Sequence, residues 1–409
     1  MILRTPPSLT DYNFRLAAMR KSGYALSQSR VRGALLFSPP LTRPSVSRKS
    51  AAACAIPLIP TILSKEPVKP MPENRILLVS SARTKWFEEA SDGEQFERFP
   101  YSHYAILFNL SKKGWKTCRA GWRTSSRLKT LAQRIDAFQP SIIYTYGSTV
   151  ALNPLLCRRF FCKWKSFKVI HGWDDLYGDI WHEIAGYPGR ILMNIVEKLI
   201  VTRSDHVVTL SRFLQQRGKT WGVDCHYIPN GADIPVFDHA ACSIRLEGDM
   251  NLVYTGDQAR WKRTADICEA MRHVPKNIKL YLTGRRYPYL DKYASDNCIF
   301  LGYVSRNDQL CVMDQADVLV STADQDCNAK LQEYLRFKKP ILGYDGRANL
   351  FFKNGENALL TRDYPSAILT LYNAPTLRTT LAENAARDIP VFNWSEIADQ
   401  FAAFFASAH

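Results

Sequence analysis

The chain has 409 residues, 46% of them apolar and 22% charged, with 54 Lys and Arg against 38 Asp and Glu and ten cysteines. At roughly 100–200 residues per domain there is room for two domains and an appendage, and a composition near the globular average excludes collagen-like, wholly disordered and disulfide-scaffold classes. The formal charge of +16 raises nucleic acid as a partner, but where that charge lies matters more than its size.

Residues 1–70 hold eleven Lys and Arg against Asp11 and Glu66, so +9 of the charge sits at one end. This end is rich in Ser, Pro and Arg, has no sustained helical or strand period, and closes in SKEPVKPMP, a linker-like composition. It reads as a disordered basic extension over 1–72. The same composition suits an organellar transit peptide, and a third reading starts the fold near Met71. No apolar run reaches the ~18–20 residues of a spanning helix; Ala51 to Leu63 is too short and is broken by Pro57 and Pro60. No short basic start leads directly into an apolar core, which argues against a cleaved secretory signal. The cysteines form no CxxC pair. Cys157 and Cys162 lack a second pair or a His-x3–5-His nearby, so they read as packing thiols, and a reducing, cytoplasmic setting fits.

From Arg75, RILLVSS opens an alternation of apolar strands and helical segments. A helix is expected over Phe99 to Lys113, and strands over Ser141–Tyr146, Phe167–His171, His206–Leu210 and Cys225–Ile228. A second series begins at Asn251 with NLVYTG, IKLYLTG, CIFLGY, ADVLVST and KPILGY. Strands alternating with helices imply parallel sheets covered on both faces. The expected fold is therefore α/β, with two doubly wound Rossmann-like lobes over 73–235 and 236–390 and a C-terminal helix over 391–409 that returns toward the N-terminal lobe. Ligands of such sheets sit beyond the carboxyl ends of the strands. Those ends carry His171–Gly172, Gly256, Gly284, Gly302 and Ser321–Thr322, so the active cleft is expected between the lobes.

Two segments have the residue types for chemistry. LVYTGDQARWKR is a strand and a glycine turn followed by Arg260, Lys262 and Arg263, ahead of the helical stretch TADICEAM. Such a turn lets backbone amides approach an anion while cations neutralise it, which suits a diphosphate. Without a Walker lysine loop or a GxGxxG, the competing reading is a solvated basic loop. STADQDCNAKLQEYLRFKKPIL places Asp324, Gln325, Asp326, Asn328 and Lys330 after a buried strand and Glu333 on a helix. Lys330 and Glu333 share one helical face. They are either a surface ion pair or an ammonium for phosphate beside a carboxylate for sugar hydroxyls. Two carboxylates in DQD are weak grounds for a metal site, so no metal and no other cofactor is expected.

Taken together, YIPNGAD at 227–233, LVYTG with a lysine six after its glycine, LYLTG at 280–284, IFLGYV at 299–304, KLQEYLRFKKPIL, NGENALL at 354–360 and NWSEIADQF at 393–401 carry a resemblance. In that order and spacing, over roughly 73–405, the chain resembles the retaining glycosyltransferases of family 4, which have the GT-B fold. The resemblance implies transfer of a sugar from a nucleotide-sugar donor on the C-terminal lobe to a glycan or lipid-linked saccharide on the N-terminal lobe, as in surface polysaccharide or glycolipid synthesis. Carried over by position, Lys262 and Arg260 would grip the pyrophosphate. Glu333, the second carboxylate of an E-x7-E motif, would hold the ribose. Gly284 and Val304 fall at the base pocket, with Gly256, Arg285, Asn328 and Lys330 completing the donor set. His171 matches the histidine that contacts the transferred sugar. Gln325, beside Asp326, stands where the family has its first glutamate, and Asp257 where it has an arginine. Those departures leave a catalytically silent binding or assembly subunit as the alternative, with a nucleotide-sugar epimerase as a rival enzyme.

Between Arg98 and Trp173, fourteen Lys and Arg face a single acid, Asp136. Within that span, CRRFFCKWKSFK and KKGWKTCRAGWR interleave cations with aromatic residues. This composition suits peripheral contact with an anionic membrane at its cytoplasmic face. A solvated basic face is the ordinary alternative, and single-stranded nucleic acid is the least favoured of the three.

Overall fold

The computed structural model describes residues 74–81, 102–147 and 150–408. The expected extension over 1–72 and the start of the helix expected from Phe99 lie outside the described residues. In chain order the first lobe contains β1 (Arg75–Ser80), α1 (Ser102–Lys112), β2 (Lys116–Ala120), α2 (Trp122–Ser125), α3 (Leu128–Phe138), β3 (Ile142–Tyr146), α4 (Asn153–Phe160), β4 (Lys168–Trp173), α5 (Tyr177–Arg203), β5 (His206–Thr209), α6 (Arg212–Thr220) and β6 (His226–Tyr227). The second contains β7 (Met250–Thr255), α7 (Thr264–Ala270), β8 (Ile278–Thr283), β9 (Cys298–Gly302), α8 (Arg306–Gln315), β10 (Val318–Ser321), α9 (Ala329–Arg336), β11 (Ile341–Tyr344), β12 (Leu359–Thr361), α10 (Tyr364–Asn373) and α11 (Pro375–Asp388). The last element is α12 (Trp394–Ser407).

The strands form two six-stranded parallel sheets, ordered β2-β1-β3-β4-β5-β6 and β12-β11-β10-β7-β8-β9. The central strands are apolar on both faces because helices cover both: RILLVS of β1 and MNLVYT of β7 bury nearly every residue. The edge strand β2, KTCRA, buries little, which is why its sequence shows no strand signal.

The chain crosses between lobes twice. The outgoing segment after β6 and the returning one before α12 are tied by Ala232 N–H donating to Phe392 O at 2.9 Å and Trp394 N–H to the Asp233 carboxylate at 3.2 Å. NWSE starts α12 with reciprocal bonds between Asn393 and Glu396. Ile397, Phe401 and Phe405 then pack with Leu110, Trp115 and Tyr144, so the last helix completes the core of the first lobe. Burying each phenyl ring there contributes about 1.5–3 kcal/mol.

Cys157 and Cys162 are buried and free. Cys242 and Cys311 are instead joined by a disulfide across 69 residues, at variance with an all-thiol expectation. The loop before β7 is laid along α8 by Ser243 and Asp238, which bond Asp308 and Asn307, and this brings the two sulfurs together. No local spacing could announce that pairing.

Candidate active site

Beyond the carboxyl ends of β7, β8 and β9 the backbone turns at three glycines with positive φ: Gly256 (111°), Gly284 (100°) and Gly302 (70°). Gly284 N–H donates to Gly302 O at 2.7 Å, and Gly256 N–H to Thr283 O at 3.1 Å, so the turns lie side by side. A Cβ on Gly284 would stand 2.3 Å from the Gly256 carbonyl oxygen. Only glycine permits that approach at that φ.

After Gly256 the chain makes a 3₁₀ turn over Arg260–Lys262, and the Thr322 hydroxyl pins it to the end of β10 by donating to Lys262 O at 2.6 Å. Lys262 Nζ lies 3.6 Å over the Trp261 ring and donates to Gln325 Oε1 at 3.2 Å. Gln325 Nε2 donates in turn to Asp175 Oδ1 of the first lobe at 3.0 Å. Lys330 Nζ lies 3.5 Å over the Tyr254 ring and donates to Thr255 O at 3.4 Å. Among the described residues neither ammonium has a carboxylate within ion-pair distance. Burial lowers the Lys262 pKa, with Asp175 opposing, while burial and then Lys262 hold Lys330 well below the ordinary lysine value. Two poorly solvated cations beside three glycine turns make a ready seat for an anion, because the desolvation cost of each is already met by the fold.

The first lobe contributes a wall of carboxyls that sequence reasoning missed. Asp174 and Asp175 follow β4, and Tyr177 O–H donates to Asp174 Oδ1 at 2.8 Å. Burial, then Asp175, push Asp174 up to about 7; burial also raises Asp175, with Lys262 and Gln325 opposing. The available signal was the acidic pair in HGWDD. The strand was expected to end at His171, but Gly172 and Trp173 continue it. His171 therefore sits inside the lobe, fully buried, with Nδ1 2.9 Å from Thr145 Oγ1 and its ring 6.3 Å from that of Tyr177. Burial lowers its pKa to about 3, so the imidazole is neutral, and Nε2 has no hydrogen-bond partner among the described residues.

The remaining site candidates divide between the cleft and its supports. Glu333 is gripped by Arg306, with Nη2 to Oε1 at 2.7 Å and Nη1 to Oε2 at 3.3 Å. Arg306 opens α8 two residues after Val304, which sets the segment expected at a base pocket beside the carboxylate expected at the ribose. Arg260 stacks 4.4 Å over Tyr289 and Arg285 4.8 Å over Tyr287, both at the rim. Arg263 is committed elsewhere, to the Tyr344 ring and Asp266.

Asp326 is buried, and both its oxygens are used across the lobes: Oδ1 accepts from Ser211 Oγ at 2.6 Å and Oδ2 from Phe213 N–H at 2.9 Å, at the start of α6. That geometry makes it an interlobe tie rather than a group free to meet substrate. Asn328 shares a small interlobe pocket with Tyr227, Asn230 and Gln332. Asp324 and Asp179 both pair with Arg347, at 3.2 and 3.6 Å, closing a further contact between lobes.

Glu197, buried on α5, accepts from Trp173 Nε1 at 2.8 Å and pairs with Arg217 at 3.0 Å, yet burial wins and raises it to about 7. Asp174 and Glu197 are thus protonated in the folded chain over a range where the unfolded chain has lost those protons. Their contribution to stability therefore falls as pH rises from about 4 through 7, while the buried neutral His171 and His103 contribute in the opposite sense below about pH 6.5. The expected result is a Glu197→Gln denaturant midpoint that gains on that of the unaltered chain as pH rises through this window; a difference between the two that stays constant or shrinks would contradict the assignment.

Residues 87–235, most of the first lobe, match the family Glycosyltransferase Family 4. No curated protein matches the chain by sequence. Among solved structures, sucrose-phosphate synthase from Thermosynechococcus elongatus is similar at 17% identity and a TM-score of 0.66, over 81% of this chain and 98% of that one. Anabaena Alr3699/HepE in complex with UDP-glucose is similar at 15% identity and a TM-score of 0.58, over 81% and 99%. A glycosyltransferase from Rickettsia africae follows at 13% and 0.55, over 83% and 99%. At such identities the likeness is one of fold, and it establishes GT-B architecture for both lobes. The family 4 match thus lies in the first lobe, and the GT-B architecture extends over both.

Proposed function

We propose that the chain is a family 4 glycosyltransferase that uses a nucleoside diphosphate sugar as donor and passes its sugar, with retention, to a glycan or a lipid-linked saccharide in surface polysaccharide or glycolipid synthesis. The observation that carries the donor reading is the pair of ammonium groups, Lys262 and Lys330, poorly solvated and without ion partners among the described residues, beside the Gly256 and Gly284 turns. A diphosphate supplies the missing charge. As it departs, negative charge develops on its oxygens, and fixed cations in a poorly solvated cleft stabilise that charge without reorganising. The lysines provide this charge themselves, so the reaction is proposed to run without a bound metal. HepE was crystallised with UDP and with UDP-glucose, which makes a UDP-sugar the first donor to try.

On this reading Glu333 exchanges its Arg306 partner for the two ribose hydroxyls, an exchange of one bidentate donor for another. Gln325 and Asp175 form the seam where the transferred sugar meets the first lobe, the amide holding the carboxylate in place. Retention rests on the family likeness. Among the described residues no helix is long and apolar enough to cross a membrane, so a membrane-borne acceptor would be met from the surface, proposed to be the cytoplasmic one.

The test is release of nucleoside diphosphate from a panel of UDP-, GDP- and ADP-sugars with glycan acceptors, in EDTA. Turnover with a UDP-sugar that persists in the chelator, and a product whose anomeric configuration by NMR matches the donor, are expected. An inverted product would sink the retaining assignment, and neither binding nor turnover of any donor would sink the donor site.

A further inference from the structure

The helix α5 presents apolar residues on two faces. Its inner face buries Met193, Ile200 and Val201 against the sheet. Ala185 and Gly186 break the helix, and beyond that kink its outer face carries Tyr187, Ile191, Leu192, Ile195 and Leu199, each between 42% and 65% exposed. Spacings of three and four place these five on one stripe, roughly 18 Å long at ~1.5 Å per residue. Single exposed apolar residues are ordinary, but five in register on one helix are not.

A second exposed apolar group lies beside the end of the helix. Arg158 on α4 pairs at 2.6 Å with Asp205, two residues after α5 ends, so α4 lies beside the end of α5. There it exposes Leu156, Phe160 and Phe161, with Phe160 at 67%. Around this surface Arg159, Lys163, Lys165, Lys198 and Arg203 are exposed and in no ion pair among the described residues. The neighbouring acids are otherwise engaged: Asp205 by Arg158, Asp179 by Arg190 and Arg347, and Glu197 within the lobe.

We infer that the outer face of α5, with the exposed end of α4, docks on an anionic lipid bilayer. The apolar stripe supplies contact area for the acyl boundary, and the unpaired cations supply attraction to lipid phosphates. A protein partner would need complementary acids in fixed places; a bilayer needs only the sign of the charge and a continuous apolar strip, which is what this face has. Ahead of the Ala185–Gly186 kink the chain lies at the cleft, where Tyr177 bonds Asp174 and Asp179 meets Arg347. Docking along α5 therefore sets the cleft beside the membrane. That consequence rests on the proposed function and selects a lipid-linked acceptor within it; the docking itself does not.

Co-sedimentation of the full chain with vesicles tests the inference, without donor or acceptor, so that failure to bind and failure to transfer are separate results. Vesicles containing phosphatidylglycerol in phosphatidylcholine are expected to bind the chain at least ten-fold better than phosphatidylcholine alone, with binding reduced by salt. The double substitution I191D/I195D is expected to lower that binding at least ten-fold while leaving thermal stability and UDP binding unchanged. A K163E/K165E variant is expected to lose the preference for anionic lipid. Equal weak binding to both vesicles overturns the inference, as does undiminished binding by I191D/I195D, which would assign the effect to the basic N-terminal residues. A concentration-dependent dimer by light scattering that I191D/I195D abolishes, without vesicle binding by the unaltered chain, also overturns it and assigns the stripe to a second copy.

Discussion

Lys262→Ala is expected to lower kcat/KM for sugar transfer by about 10²–10³-fold, the effect of deleting one fixed charge-stabilising donor from an active site. The 3₁₀ turn sets this ammonium on Gln325, and Thr322 holds its backbone, so alanine removes the charge without moving the loop. The loss should fall on kcat as well as on donor affinity, because the charge of the diphosphate grows as it leaves. Direct titration with UDP separates the two contributions, and circular dichroism checks the fold. Transfer within about three-fold of the unaltered enzyme would remove Lys262 from the site. Lys330 is the natural second test, since it lies over Tyr254 in the same charge cluster.

Asp326→Ala is expected to cost about 3–5 kcal/mol of stability, from two hydrogen bonds to a buried carboxylate and the donors left behind. Both bonds cross between lobes, and both serve the first turn of α6: Ser211 caps that helix by accepting from Leu214 N–H while it donates to Asp326. The substitution should therefore show as a lowered denaturation midpoint and as faster amide hydrogen exchange at Phe213 and Leu214. Asp326→Asn keeps one acceptor and should fall between the two. A change below about 1 kcal/mol would show that the lobes are held by other contacts, such as Arg347 with Asp179 and Asp324.

The reach of sequence reasoning follows from what each signal depends on. β1, β7, β8 and β10 are central strands buried on both faces, so hydrophobicity alone reveals them. β2 is an edge strand of mixed polarity, and its assignment depends on pairing with β1. Lys262, Gln325 and Lys330 come together because each follows a strand end in the same lobe, where local order predicts position. The burial of His171 was out of reach because the strand runs two residues further than its apolar run, and the period-2 alternation then turns the imidazole into the lobe. The ties of Asp326 were out of reach because its partners, Ser211 and Phe213, lie more than 110 residues away.

By itself the sequence determined two parallel α/β lobes, the glycine turns at their strand ends and the polarity of the charge, since burial pattern and residue type are local properties. Only the tertiary structure decided that Asp175 meets Gln325 across the cleft, that Asp326 ties the lobes, and that α5 turns an apolar face outward. Each of these depends on which surfaces the fold brings together or leaves uncovered, and a helix that is apolar on two sides reads the same in sequence whether its second side is buried or bare.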